Sequence, residues 1–417
     1  MCSTDEEYFS GESSLQCMVN DALFSNYLQG TCRKCGLTGL VISSKFHQPK
    51  CKQCFLVFVR HKFRATLGSS KVLLTSSKVL VLFDGSPEAM VLLDMLHYAQ
   101  TQTNLKRLCC TTKVLYIDEI YLIEDDSQHK ANVNEIATLL KKFSFFETFV
   151  TPFVLDIKRA NFYGINEYLK EEVKQCRYEF IDKVKKTSQY DYIKHQRYRL
   201  LAMACAKLDT DIVLLSDMSS HLASQLLIDV ALGRGGSAAF DVSLIDERFP
   251  GLKLVRPLKD LNYIDIRYYL HMQNLKPIII LGYKDRCNEM NSLQNLSNAF
   301  VNNLQKKFSS TVSTIFRTCG KISCNIQNGD ETNGRCCEFC NAHIDYLKSK
   351  TICAMEFSRK ASELGTRVFN YPNIEFIEKK TISDDGEKLK DRLCHGCRTI
   401  FNDLCFVIFT FLGNYKT

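Results

Sequence analysis

Between Lys78 and about Tyr283, short apolar runs alternate with longer stretches in which apolar residues recur every three or four positions. The runs are "KVLVLF", "KVLYID", "FVLDI", "DIVLLSD", "LKLVRPL" and "KPIIILGY". The stretches between them include "PEAMVLLDMLHYAQ", "NVNEIATLLKKF", "RYRLLAMACAKL", "HLASQLLIDVAL" and "YIDIRYYLHMQN". Strand-length apolar runs separated by amphipathic helices predict a parallel sheet covered on both faces, a doubly wound α/β domain. Ahead of it, "SLQCMVNDALFSNYL" has a short helical pattern, and "FLVFVRHKFRATLG" predicts a helix that stops at Gly68. After Asp285 comes a polar helical pattern, "EMNSLQNLSNAFVNNLQKKF", then a cysteine-dense tail interrupted by the loop-like "CNIQNGDETNG" and "TISDDGEKLKDR". These shifts divide the chain into 1–68, 69–284 and 285–417, with no tandem repeat at solenoid periods.

Composition narrows the class. At 417 residues, 45% apolar and 24% charged, the chain fits a globular protein of two or three domains. The start, "MCSTDEEYFS", is acidic where a secretory signal or mitochondrial presequence is basic, so a cytoplasmic location is expected. Runs such as "CFVIFTFLG" fall far short of the ~20 residues that span a bilayer, so no membrane crossing is expected. The net charge of +8 permits nucleic-acid contact without demanding it. Twenty cysteines in a chain of this size without a signal point to metal binding or redox chemistry more than to disulfides.

Two cysteine sets have ligand spacing. Cys32/Cys35 and Cys51/Cys54 are Cys-x-x-Cys pairs 15 residues apart, the spacing of a four-thiolate zinc site. Four thiolates leave zinc no open position, so such a site is structural. Cys337/Cys340 and Cys394/Cys397 form a second set with 53 residues between the pairs, with Cys319, Cys324, Cys336 and His343 as alternative ligands and independent thiols as the other reading. Lys34, Lys50 and Lys52 rim the first set, either as solvated charges or as RNA contacts. Arg60, His61, Lys62 and Arg64 follow on the predicted helix, either as its wet face or as a surface for RNA.

The break after the first predicted strand carries the remaining chemistry. A strand that feeds a Gly/Ser turn and then a helix points backbone N–H groups at whatever lies over the helix N-terminus, which is how such turns hold phosphate. "DGSPEA" matches neither the Walker nor the dinucleotide fingerprint. One reading is a plain turn in which Asp84 or Ser86 caps the helix and Pro87 opens it. The other is resemblance to the PP-loop, Ser-Gly-Gly-x-Asp-Ser, of the adenine nucleotide α-hydrolase superfamily. On that pattern Asp84 stands for the first serine, Gly85 and Ser86 for the glycines, Glu88 for the acid and Ala89 for the last serine. A carboxylate at Asp84 opposes bound pyrophosphate, and Ala89 lacks a donor, so ATP is expected to bind weakly or not at all. "RYRLLAMACAKLDTDIVLLSDMSSHLASQLLIDVALGRGG" and "LVRPLKDLNYIDIRYYL" resemble two further elements of the superfamily, with Asp265 near a common acid position; the plain readings are a core helix and an ordinary surface Arg256. Catalytic thiolating members of that superfamily carry a Cys-x-x-Cys pair just before the alanine-rich helix. Here that place reads "YDYIKHQRYR", and Cys205 inside the helix reads as a small buried residue.

The order of parts, a double N-terminal Cys-x-x-Cys, an eroded PP-loop domain and two C-terminal Cys-x-x-Cys motifs, resembles the family of cytoplasmic tRNA 2-thiolation protein 2 over nearly the whole chain. The resemblance implies a PP-loop α/β fold flanked by cysteine-rich metal-binding segments. It also implies a subunit with no catalytic residues of its own. In that family the partner is a catalytic paralogue, cytoplasmic tRNA 2-thiolation protein 1, which replaces the 2-oxygen of the wobble uridine by sulfur in lysine, glutamine and glutamate tRNAs. Sulfur arrives on a ubiquitin-like carrier as a thiocarboxylate. The rival expectations are a self-sufficient ATP-dependent sulfurtransferase and a zinc-stabilised scaffold that binds no RNA.

Overall fold

The computed structural model describes residues 27–44, 47–74, 76–103, 107–122, 126–170, 178, 184–278, 292–308, 310–319, 336–344, 358, 361–362 and 392–403. Its centre is a seven-stranded sheet. Strand β4 (Lys78–Leu82) lies in the middle, paired in parallel with β5 (Thr111–Asp118) on one side and β8 (Ile212–Leu214) on the other. Beyond β5 lies parallel β6 (Glu147–Pro152), and beyond β8 lies parallel β10 (Lys253–Val255). The two-residue strands β7 (Tyr163–Gly164) and β9 (Ile245–Asp246) finish the rims in antiparallel register, giving the order β7-β6-β5-β4-β8-β10-β9. The chain reverses its direction of strand addition between β4 and β8, so the carboxyl ends of these two strands flank the crevice where doubly wound sheets place ligands.

Alternation along the strands divides the core. Val79, Val81, Val114, Ile212, Leu214 and Val255 face one layer, and Leu80, Leu115, Val213 and Leu254 face the other. The first layer is closed by α2 (Pro87–Thr101), α3 (Asp126–Lys141) and α8 (Tyr263–Gln273), and also by α1 (Lys52–Ser69), whose Phe55, Val59 and Phe63 are fully buried in it. The second layer is closed by α5 (Lys186–Leu208) together with the C-terminal cysteines. Helix α4 (Ile165–Tyr168) follows β7. Helices α6 (Ser219–Ala231), α7 (Ala238–Val242), α9 (Leu293–Lys307) and α10 (Thr311–Cys319) form small satellite cores through Leu222, Ala223, Val301 and Val312. Ahead of α1, strands β1 (Tyr27–Thr31), β2 (Thr38–Ser44) and β3 (His47–Cys51) make an antiparallel sheet of their own.

Several sequence expectations need adjustment. The third strand is "ETFVTP", not "FVLDI": the Phe153 N–H makes the last bond to β5, on the Asp118 carbonyl at 2.7 Å, and its side chain packs fully buried as the chain leaves the sheet. Tyr27 and Leu28 belong to β1, not to an N-terminal helix, and residues 14–26 of that pattern lie outside the described residues. In "KPIIILGY", residues 276–278 form no strand and 279–283 lie outside the described residues. Both loop-like tail stretches also lie outside them, apart from Arg392.

Candidate functional site

The turn after β4 is held by its own side chains. Gly85 takes φ 80°, a conformation that favours glycine. The backbone N–H of Ser86 donates to Asp84 Oδ1 at 3.0 Å, and Ser86 Oγ accepts the N–H of Ala89 at 3.2 Å as the N-cap of α2. Pro87 opens the helix and offers no N–H. Two donors that would face an anion are thereby engaged within the turn, and the exposed carboxylate of Asp84 lies in front of the helix terminus. Ile278 donates its N–H to the Gly85 carbonyl at 3.1 Å, so the segment after α8 lies against the turn. Glu88 and Ala89 are buried.

Each cysteine set converges. The sulfurs of Cys32, Cys35, Cys51 and Cys54 all lie within 4.8 Å of one another, and so do those of Cys337, Cys340, Cys394 and Cys397. The sulfurs of Cys35 and Cys51 lie 3.7 Å apart and those of Cys340 and Cys394 3.6 Å. A tetrahedral ion with Zn–S bonds of ~2.3 Å needs sulfur–sulfur edges of about 3.8 Å, so both sets fit a four-thiolate zinc ion. They are also built alike. The first pair of each is a knuckle closed by a left-handed residue, Gly36 (φ 73°) or Asn341 (φ 55°). In one, Gly36 N–H donates to Cys32 O and Cys32 N–H to Leu37 O; in the other, Asn341 donates to Cys337 O and Cys337 to Ala342 O. The second pair starts a helix: Cys51 is the N-cap of α1, and Cys394 directly precedes α11 (His395–Asp403). The Cys51 backbone, foremost among several hydrogen bonds, holds the Cys32 thiol down to about 6.

The two centres differ in surroundings. Cys35 is exposed at the first, whereas all four cysteines of the second are buried against α5. Phe339, between Cys337 and Cys340, stacks on Tyr192 with ring centroids 5.7 Å apart, and Asp403 accepts from Lys185 Nζ at 2.8 Å and Ser188 Oγ at 2.6 Å. Cys336 and His343 stand outside the set, with Sγ and Nδ1 3.9 Å apart, while Cys324 and the side chain of Cys319 lie outside what the structure describes. His395 is no ligand; its ring packs on Gly233.

The basic residues of α1 divide. Arg60 lies with its guanidinium 3.6 Å from the Tyr98 ring centre and donates to Tyr269 Oη at 3.3 Å. Lys62 reaches the Asp260 carbonyl at 3.2 Å and Asp265 at 3.7 Å. Both therefore bind α1 to the α/β domain. His61 is exposed and Arg64 half-buried. Lys50 rests 4.4 Å over the Phe58 ring, and Arg33, Lys34 and Lys52 are exposed around the first cysteine centre. Asp265 caps α8 in a reciprocal box with Asn262.

A buried ion network on the other side of the sheet escaped the sequence reading. Lys194 of α5 approaches Asp241 at 3.2 Å and Asp229 at 4.0 Å. Arg248 bridges Asp241 (2.9 Å) and Asp246 (2.7 Å), and Arg256 lies between Asp246 (4.0 Å) and Asp217 (3.3 Å) at the end of β8. Arg256, a surface charge only on the plain reading of "LVRPL", is fully buried and also donates to the Ser243 carbonyl at 3.2 Å. Burial pushes the Asp229 carboxyl up to about 6 despite Lys194. Burial opposes the charge of Lys194, but Asp229 and Asp241 hold its ammonium above the ordinary value. Burial, with Arg234 next, holds His195 well below the usual histidine range and therefore neutral. The signal was present as charges at core-facing positions of apolar helices, such as Asp229 in "LLIDVAL". Cys205 is buried in α5 as expected, and among the described residues no cysteine of the central domain belongs to a ligand set.

Comparison with known proteins gives a consistent result. Residues 292–399 match the family model for cytoplasmic tRNA 2-thiolation protein 2. The chain is 40% identical over 415 residues to the protein of that name from Drosophila ananassae, covering 97% of this chain and 99% of the relative. The Drosophila melanogaster protein is 39% identical, with 97% and 98% covered. Among solved structures, the U34-tRNA thiolase NcsA from Methanococcus maripaludis, determined with its four-iron four-sulfur cluster, superposes with a TM-score of 0.54 at 20% identity over 77% of this chain and 98% of that one. That likeness supports the PP-loop-type fold, and the full-length similarity to the insect proteins decides the family: this chain belongs to the cytoplasmic tRNA 2-thiolation protein 2 family.

Proposed function

We propose that this chain is the non-turnover subunit of the cytoplasmic machinery that 2-thiolates the wobble uridine of tRNA. The observation that carries the reading is the closed turn at Asp84: the Ser86 and Ala89 N–H groups are engaged by the turn's own oxygens, and the Asp84 carboxylate would oppose a pyrophosphate brought to it. A uridine carbonyl oxygen leaves poorly until it is adenylated, and that step needs one competent PP-loop, which we assign to a catalytic paralogue, cytoplasmic tRNA 2-thiolation protein 1. This chain would add tRNA-binding surface, with lysine, glutamine and glutamate tRNAs as substrates and a thiocarboxylated ubiquitin-like carrier as sulfur source. Among the described residues, no helix is long and apolar enough to cross a membrane.

Exposed Arg33, Lys34, Lys52 and His61 beside the first cysteine centre are the proposed phosphate contacts, with Arg60 and Lys62 fixing α1, which carries Lys52 and His61, and half-buried Arg64 as a further candidate. Such contacts make affinity fall as salt rises. Gel-shift titration of tRNA at graded salt, with the chain alone and with the paralogue, tests this reading. It expects salt-dependent binding that weakens in an Arg33→Ala, Lys34→Ala variant. No binding under either condition favours a protein scaffold, and 2-thiouridine formed from ATP by this chain alone favours a self-sufficient sulfurtransferase.

A further inference from the structure

The loop after α6 and the start of α11 interlock residue for residue. Gly233 (φ 75°) has the His395 ring against its Cα, where a Cβ would come within 2.6 Å of the ring. Reciprocally, a Cβ on Gly396 would come within 2.5 Å of Arg234 Nε. The guanidinium of Arg234 thus lies across the first turn of α11, 4% exposed, with one nitrogen on Asp191 of α5 at 2.6 Å and another 3.5 Å from Cys397 Sγ. Four thiolates around a divalent zinc carry a net charge of minus two, which a buried site must offset with oriented donors and cations. Arg234 is a cation in contact with this thiolate set, and the α/β domain supplies it.

We propose that Arg234 makes metal loading of the second cysteine centre and docking of the C-terminal segments onto α5 a single event, by joining Cys397 to Asp191. Arg234 is a positioning residue: it holds no metal, but it sets the charge and the seat of a ligand. The centre then closes the α/β domain and is not an autonomous module.

The test uses the full-length chain carrying Cys51→Ser and Cys54→Ser, so that zinc counted by native mass spectrometry reports the second centre alone. During graded chelation, hydrogen exchange is read in residues 188–196 of α5 and 395–403 of α11. Both segments are expected to lose protection together as zinc departs; loss at α11 with α5 unchanged overturns the coupling. Asp191→Asn with Arg234→Gln removes both charges without stranding either, and is expected to lower zinc affinity about 10- to 100-fold. Gly396→Ala leaves every charge in place and displaces only the arginine, and the same loss is expected; wild-type affinity in Gly396→Ala overturns the proposal whatever the folding of the double variant.

Discussion

Asp84 Oδ1 accepts the backbone N–H of Ser86 at 3.0 Å, two residues along the same turn. An anion at a helix N-terminus is worth about 0.3–1 kcal/mol, and here the protein's own carboxylate takes that position. Asp84→Ser is therefore expected to strengthen ATP binding about two- to fivefold, read as dissociation constants from phosphorus NMR titration. Unchanged affinity would show that something other than Asp84 closes the turn.

Serine at both Cys51 and Cys54 should remove one of two zinc ions per chain by elemental analysis, since the two centres share no ligand. Phe55, Val59 and Phe63 pack α1 into the α/β core without using the cysteines, so far-UV circular dichroism should keep its central helical signal. Loss of both ions would contradict independent centres.

Arg256 is fully enclosed, lies 4.0 Å from the buried Asp246 and also serves half-buried Asp217 and the Ser243 carbonyl. Breaking a buried ion pair from one side costs about 3–5 kcal/mol. Arg256→Ala should lose that much in urea unfolding and Arg256→Lys somewhat less. A loss below about 1 kcal/mol would place Arg256 among surface charges.

Asp229 supplies a pH test. Its folded carboxyl is raised to about 6 by burial, above an ordinary value of 3.8. The folded state therefore binds the extra proton, and this contribution to stability is complete below about pH 3.8 and lost as pH climbs through about 6. Relative to Asp229→Asn, wild type should lose about 1–3 kcal/mol between pH 4 and 7. Taking the difference cancels thiolate protonation at the metal centres. A flat difference would show that Lys194 keeps the carboxyl ionised throughout.

The layer architecture was legible because buried parallel strands are short and apolar while their covering helices keep a three-to-four spacing, and both signals are local. The ligand pairing at the first centre was legible for the same reason: Cys32 and Cys54 lie close along the chain. "FVLDI" misled because apolar content cannot distinguish a strand from a buried exit segment. Arg256 and Lys194 were unreadable as core residues because their counter-charges, Asp217, Asp246, Asp229 and Asp241, come from separate elements brought together only by the fold. Arg60 and Lys62 look like an open basic face in one dimension, yet Tyr98, Tyr269 and Asp265 meet them from helices far along the chain.

Strands β7 and β9 each extend only two residues, and they run against the direction of their neighbours. Such stubs leave almost no ladder on which a further backbone could assemble. A protein that bound this one at the seven-stranded sheet would therefore have to read side chains on its covering helices, not add a strand at the rims. That mode of recognition lets pairing be selective without exposing the sheet to promiscuous zippering.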